Sequence, residues 1–405
     1  CQIRNCWRNL VIAATGTGKT VISAFDYQRF RNEHHQQAKL LFVAHRKEIL
    51  EQALITFRNV LRDPNFGELH VGTFQAERMD HLFCSVRMIA SRRLWEQLGC
   101  HFYDYIVIDE AHHGIAASYR PILEQFNPKV LLGLTAIPER MDGGSVTADF
   151  GNHFAAEIRL AEALEEKLLC PFHYFGVADP VSLESDRYWR NGKYDETELE
   201  NVYVGSHIQA TKRLDAIMNA LYRYEPHLEA IKGIGFCVSI KHAKFMAEMF
   251  TIRGIPSAAF VSGVNGEECS AMLSDLKSGS ISFLFTVDKL SEGVDVPEMN
   301  VVLFLRPTES LTVFLQQLGR GLRHSPGKDC LTVLDFVGQA HRRYRLDTKL
   351  KALLPKNRFA IDREVESNFP HLPSGCSIQL DRLASKHVLE NIRQNLRNLS
   401  VQVPE

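Results

Sequence analysis

The sequence predicts an α/β protein: two tandem doubly wound parallel-sheet domains followed by a short helical C-terminal extension. Three observations carry that prediction. Short β-rich apolar runs alternate with helical patterns along the chain, as parallel α/β layers require. The runs fall into two sets, most of them apolar through their length and so suited to burial on both faces of a sheet. A length of 405 residues suits two or three domains better than one.

In the first set the candidate strands are LVIA (10–13), LLFVA (40–44), ELHV (68–71), YIVI (105–108) and VLLGL (130–134). In the second they are IGFCV (234–238), AAFV (258–261), FLFTV (283–287), VVLFL (301–305) and LTVLDF (331–336). The expected first domain covers 1–161 and the second 208–345. Between them, 162–207 reads as a linker with some structure of its own, because DRYWRNGKYDETELE is polar and aromatic with weak periodicity. In the extension, 346–405, the basic segment HRRYRLDTKLKALL (341–354) leads in as a helix and RFAIDREVESNFPHLPSGC (358–376) reads as loop. Leu389, Ile392, Leu396 and Leu399 then mark an amphipathic helix, expected to pack on the second domain.

Composition narrows the function classes. Hydrophobic residues make up 45% and charged ones 23%, which excludes a mainly disordered, collagen-like or disulfide-scaffold chain. Lys plus Arg number 47 against 48 Asp plus Glu, a net charge of -1. Any nucleic-acid site must therefore be a local patch. Nine cysteines stand singly with no CxxC pair. Reduced, mostly buried thiols of a cytoplasmic protein are expected. No uncharged apolar stretch approaches the ~18–20 residues of a membrane span, so no membrane partner is expected. The chain opens on Cys1 with neither Met nor signal peptide, and a longer parent protein is expected.

The strongest chemical signal is LVIAATGTGKT at 10–20, a buried strand, a glycine-containing loop and then VISAFDYQRF as a helix. Such a loop turns backbone N–H groups and a helix N-terminus toward a phosphate. Gly16, Thr17 and Gly18 form the curl, Lys19 reaches the outer phosphates, and Thr20 sets its hydroxyl on Mg²⁺. The strict pattern starts on Gly, and this chain has Ala13. An incidental Gly-rich β–α turn is the bland alternative, and the strand–loop–helix context argues against it.

YDYIVIDEAHH (103–113) comes next, a buried strand ending in two carboxylates where α/β ligands sit. Asp109 is placed to hold the metal and Glu110 to orient and deprotonate a water. A metal cluster of Glu110, His112 and His113 is the rival, but the HExxH spacing of a zinc hydrolase is absent.

AATGTGKT followed by DEAH resembles a superfamily 2 helicase or translocase of the DEAH type. Further segments match in order over about 10–340: VAHRKEIL, LTAIPER, GFCVSIKHA, TVDKLSEGVDVP and QQLGRGLR. The resemblance implies two RecA-like domains, ATP and Mg²⁺ as cofactors, and nucleic acid as partner, with DNA favoured over RNA. It implies that His112 belongs to the nucleotide site with Gly293 and Asp295. It implies that Arg320 and Arg323, three apart on an expected helix, reach ATP held by the first domain, with Gln316 nearby. Their charge would stabilise the transition state of phosphoryl transfer. Arg46, Ser239 and Thr286 match positions that touch nucleic acid, a sequence-tolerant and salt-dependent contact. Thr135, Ala136 and Ile137 match the motif that couples hydrolysis to strand movement.

Three departures stand out. Ile137 occupies a position where the family usually has a hydroxyl residue, and an apolar side chain cannot relay a hydrogen bond. Arg87 stands where related enzymes often carry Gln. The adenine-reading Gln segment expected upstream of the phosphate loop is missing. AIPERMDGGSVTADFG, PFHYFGVAD, YWRNGKYDE and FPHLPSGCSIQLDR further resemble bacterial helicases of restriction, phage defence or DNA repair. A nuclease domain or partner subunit would then lie outside this chain. The sequence thus predicts a nucleic-acid-dependent ATPase. An ATP-gated clamp, another phosphate-loop class such as a kinase or ring motor, and the motor subunit of a nuclease are the alternatives.

Overall fold

The computed structural model describes residues 8–34, 37–113, 118–137, 146–151, 154–225, 227–264, 266–287, 296–355 and 360–401. The chain divides into two compact units, one built from residues up to Leu160 and the other from Ala161 onward.

The first unit holds seven strands, β1 (Arg8–Ala13), β2 (Leu40–Ala44), β3 (Glu68–His70), β4 (His81–Ser85), β5 (Tyr105–Ile108), β6 (Val130–Thr135) and β7 (Phe154–Ile158). They form one parallel sheet in the order β3-β4-β2-β5-β6-β1-β7. Alternate strand residues feed two apolar layers. Val11, Phe42 and Val107 pack under α1 (Lys19–Glu33) and α2 (Lys47–Leu61), which bury Tyr27, Phe30, Leu50 and Phe57. Leu10, Val43 and Ile106 face the opposite layer, closed by α3 (Val86–Arg92), α4 (Leu94–Leu98) and α5 (Arg120–Gln125). Burial on both faces explains why these strands read as unbroken apolar runs. β4 and β7 were not among the candidate strands, and β7 is an edge whose Phe154, Ala155 and Ala156 are exposed.

After α6 (Leu160–Glu165) the second unit adds β8 (Phe172–Ala178), the hairpin β9 (Trp189–Arg190) and β10 (Lys193–Tyr194), α7 (Glu196–Glu200) and α8 (His207–Tyr224). β11 (Gly233–Phe236), α9 (Ile240–Ile252), β12 (Ser257–Ala259), α10 (Gly266–Ser278), β13 (Phe283–Thr286) and β14 (Val301–Phe304) follow. The chain continues through α11 (Leu311–Gly321), β15 (Leu331–Val337), α12 (Leu346–Lys351), α13 (Ile361–Glu366), β16 (Ser377–Leu380) and α14 (Arg382–Val401). Its parallel sheet runs β12-β13-β11-β14-β15-β8-β16.

Two expectations about organisation are corrected here. The segment 162–207 supplies β8, and 346–405 supplies β16, so both are parts of the second sheet. The physical reason is that β8 is apolar and sits between two partners far along the chain. The loop expected at 358–376 contains the short helix α13, and the basic helix expected over 341–354 is confined to α12. The C-terminal amphipathic helix is present as α14, which packs on α12, α13 and β8. It buries Ala384, Val388 and Ile392, while Asn391 and Asn395 donate to the His341 and Tyr344 carbonyls at 3.4 and 3.0 Å. Leu389 is only half-buried, and the side chains of Leu396 and Leu399 lie outside the described set.

Thiols are less buried than expected: Cys84, Cys170 and Cys237 are buried, but Cys100 is exposed and Cys269, Cys330 and Cys376 are half-buried. Among the described residues no helix is long and apolar enough to cross a membrane.

Candidate functional site

β1 ends at Ala13 and the chain curls before entering α1. Gly16 and Gly18 take φ of 94° and 84°, the left-handed region that favours glycine. The curl is pinned by Thr17, whose N–H and hydroxyl both donate to the Ala14 carbonyl at 3.2 and 2.7 Å. Lys19 Nζ donates to the Ala13 carbonyl at 3.2 Å, which holds the ammonium over the loop. Gly18 caps α1 with no side chain, so no side-chain acceptor meets the first-turn N–H groups. Thr15 Oγ is buried in the same loop with no partner among the described residues. An uncapped helix start, a lysine and an unpaired hydroxyl suit a bound phosphate chain.

The order β5-β6-β1 brings the ends of β5 and β6 beside this loop. Asp109 follows β5 and is only 6% exposed. Burial, with the Glu110 charge next in importance, pushes its carboxyl up to about 7, against the pull of Lys19. A dication at this position would restore the carboxylate. Glu110 adopts φ 51°, a left-handed conformation that costs a non-glycine residue about 1–2 kcal/mol. Its own N–H donates to Asp109 Oδ1 at 2.9 Å. Glu110 Oε2 is buried and lies 3.3 Å from His112 Nδ1, yet it accepts no hydrogen bond among the described residues. Such a carboxylate oxygen is ready for a donor such as water.

His112 is buried, and its Nδ1 stands 3.2 Å from Thr135 Oγ at the end of β6. Thr135 Oγ in turn donates to the Ile137 carbonyl at 2.8 Å and accepts from the Ile137 N–H at 3.3 Å. The histidine therefore reaches the Thr135–Ala136–Ile137 turn through one hydroxyl. Ala136 and Ile137 are buried, and the Ile137 side chain adds no polar group to that chain.

Arg46 follows β2 on the same C-terminal edge, half-buried at the start of α2. The first unit thus gathers Gly16, Thr17, Gly18, Lys19, Thr20, Asp109, Glu110, His112 and Thr135 around the ends of β1, β5 and β6. The side chain of His113 lies outside the described set. Among the described residues no group of three or more His, Cys, Asp or Glu is placed to hold a metal. Mg²⁺ would need Thr20, Asp109 and oxygens of a bound phosphate together.

In the second unit Gln316 is 2% exposed, with Nε2 unpartnered among the described residues. Arg320 lies in the last turn of α11, but Arg323 falls beyond the helix, which ends at Gly321. The expected single helical face for the two arginines is therefore corrected. Gly321 ends the helix against β15, where an added Cβ would stand 2.7 Å from Leu331. Lys328, absent from the sequence reading, donates to the Pro297, Gly321 and Arg323 carbonyls and closes the helix end. Its oxygen acceptors are backbone carbonyls, so no residue pattern announced it. Ser239 caps α9 by accepting from the His242 N–H at 3.1 Å. Thr286, expected to present a hydroxyl to nucleic acid, is fully buried at the end of β13. Gly293 and Asp295 lie outside the described residues.

Comparison with known proteins agrees with the two-unit fold. Residues 4–140 match the family model described as "Type III restriction enzyme, res subunit", and 213–325 match "Helicase conserved C-terminal domain". A Saccharomyces cerevisiae protein named as the ATP-dependent helicase IRC3 is 27% identical over 346 residues, 81% of this chain and 48% of that protein. The EcoAI type I restriction endonuclease subunit of Escherichia coli is 27% identical over 81% of this chain and 43% of its own length. The chain thus spans about half of these relatives. Among solved structures, an HsdR-subunit fragment of a type I restriction enzyme from Vibrio vulnificus YJ016 aligns with TM-score 0.63 at 21% identity. It covers 94% of this chain and 65% of that one. The Type ISP restriction-modification enzyme LlaBIII bound to DNA aligns with TM-score 0.68 at 16% identity, over 96% of this chain and 31% of that one. At those identities the likeness is one of fold: two tandem RecA-like domains.

Proposed function

From the premise that this chain resembles the superfamily 2 DEAH-type helicases and translocases in both of its units, we propose that it hydrolyses ATP to move along nucleic acid. Its two matched domains are those of a nucleic-acid-dependent ATPase. The observation that carries the reading is the buried Glu110 Oε2, beside the glycine turn that follows β1. It accepts no hydrogen bond among the described residues and lies 3.3 Å from His112 Nδ1. The N–H groups and Lys19 would hold the phosphates of ATP. Thr20 and Asp109 would bind Mg²⁺, which supplies charge neutralisation on the phosphates. Glu110 would orient the attacking water and take its proton, while Arg320 and Arg323 would stabilise the transition state.

DNA is the favoured track, and restriction, phage defence or DNA repair the favoured setting, with a nuclease domain or partner subunit elsewhere. The support is that relatives carry the names of restriction subunits and that one aligned structure is titled as bound to DNA. Turnover should be measured without polymer and with single-stranded DNA, duplex DNA and RNA. Stimulation by one polymer is expected, and Glu110→Gln should cut it about 10²–10⁴-fold while ATP still binds. Flat turnover in all four conditions overturns the motor. Ile137 favours a second reading, an ATP-gated clamp, because its side chain leaves the Thr135 turn without a second hydroxyl. A clamp would need ATP to hold its strand but no turnover.

A further inference from the structure

The loop that follows β3 carries an aromatic ring that the packing of the first unit does not use. Phe74 is 45% exposed, between exposed Thr73 and Gln75. A solvent-facing phenyl ring on a slack loop would be unremarkable, but this loop is tied down. Val71 and Phe74 exchange both backbone hydrogen bonds, 3.1 and 3.0 Å, across a bridge that turns at Gly72 with φ 60°. His70 Nδ1 accepts from the Ala76 N–H at 3.2 Å. Glu68 accepts from the Glu77 N–H at 2.7 Å and from Arg78 Nε at 2.8 Å. Both flanks of the ring are therefore fixed before any partner arrives, which lowers the entropy lost on binding.

Its surroundings identify the partner. β2, β3 and β4 are neighbours in a parallel sheet, so the segments after them leave from one edge. Lys47 Nζ stands 4.5 Å from the Phe74 ring centroid, and Lys47 follows Arg46 directly. Lys47 is 43% exposed and shares its charge with Glu51 at 3.4 Å. In the first turn of α3, which follows β4, Arg87 is exposed as well. A flat apolar ring beside cations matches a nucleotide, whose base stacks while its phosphate meets the charge. A strand offers a ring to stack and phosphates for the cations together, whereas an apolar protein side chain offers only a surface for the ring.

We propose that Phe74 is a stacking platform for one base of a single-stranded nucleic acid whose backbone is held by Arg46 and Lys47. This rests on the nucleic-acid reading above and names the base contact within it. Stacking depends on the base and not on its identity, so the contact grips a strand without reading sequence.

The full chain should be titrated with an oligothymidylate and with an abasic strand of equal length, following fluorescence anisotropy at several salt concentrations. Phe74→Ala is expected to weaken oligothymidylate binding about tenfold. The salt slope should stay unchanged, since no charge is removed. Phe74→Trp should bind as the parent does. The alanine penalty should vanish on the abasic strand, which offers no ring to stack, a difference that simple loosening of the loop would not produce. Equal losses on both strands, or no loss on either, overturn the platform while leaving the nucleic-acid reading standing. Failure of the parent chain to bind any strand overturns both.

Discussion

Lys328 sets one ammonium against three backbone carbonyls, those of Pro297, Gly321 and Arg323. Hydrogen bonds from a charged donor are worth more than neutral ones, and carbonyls at a helix end have no intrahelical donor. Lys328→Met keeps most of the stem and removes every donor. It should lower the unfolding free energy of the second unit by about 2 kcal/mol, read as a shift of its urea midpoint. Lys328 also marks where residue-level legibility stops. Lys19, Thr20, Asp109 and Glu110 could be proposed from the sequence because the chemistry proposed for them lies in side chains at short, fixed spacing. A lysine that binds carbonyls has partners every residue possesses, and nothing in the spacing distinguishes it. Thr286 shows the reverse case, a residue in a matched segment whose hydroxyl the fold buries.

At the level of elements, apolar runs bounded by turn residues were legible and those without such punctuation were not. β4 passes directly into α3 at Ser85, its own last residue and the helix cap, so HLFCS lacks a visible end. β7 is exposed over half its length and never forms an apolar run. β8 is apolar, yet it precedes a polar aromatic stretch that pulled the reading toward a linker. Within β11 the neighbouring strand dictates a residue type: a Cβ on Gly233 would stand 2.1 Å from the Phe283 ring. Gly233→Ala must displace that phenyl from a fully packed layer. It should cost about 1–3 kcal/mol, visible as an earlier unfolding transition of the second unit. Phe283→Leu in the same chain should recover part of the loss, because it vacates the contested space.

For the molecule as a whole, the buried imidazoles make acid a destabilising influence in both units. In the first it is opposed by Asp109, whose carboxyl burial raises to about 7 and which stabilises as pH falls below that value. Burial, reinforced by the Arg31 charge, holds the His81 imidazole down to about 4, and burial puts His242 well below its ordinary 6.5. Below pH 6.5 the unfolded chain takes up protons that the folded chain refuses, so stability falls as pH drops from 6.5 toward 4. Asp347 extends the loss. Although burial opposes ionisation, Arg345 and Lys351 hold its carboxyl down to about 2 from 3.8. Its contribution therefore disappears between those values. Thermal melts at pH 7.5 and pH 5 should show the drop in the transition of the second unit, and a flat profile there would contradict the buried neutral His242. The strand order of the second sheet bears on birth as well as on stability. β8 sits between β15 and β16, both of which lie far ahead of it in the chain. Tyr174 on β8 and its partner Asp335 on β15 are 161 residues apart. At the ribosome's pace of about 5–20 residues per second, β8 waits roughly 10–30 s for its first neighbour. Every newly made copy thus carries a bare FHYFGVA strand through that interval, an apolar edge open to aggregation until the second sheet closes over it.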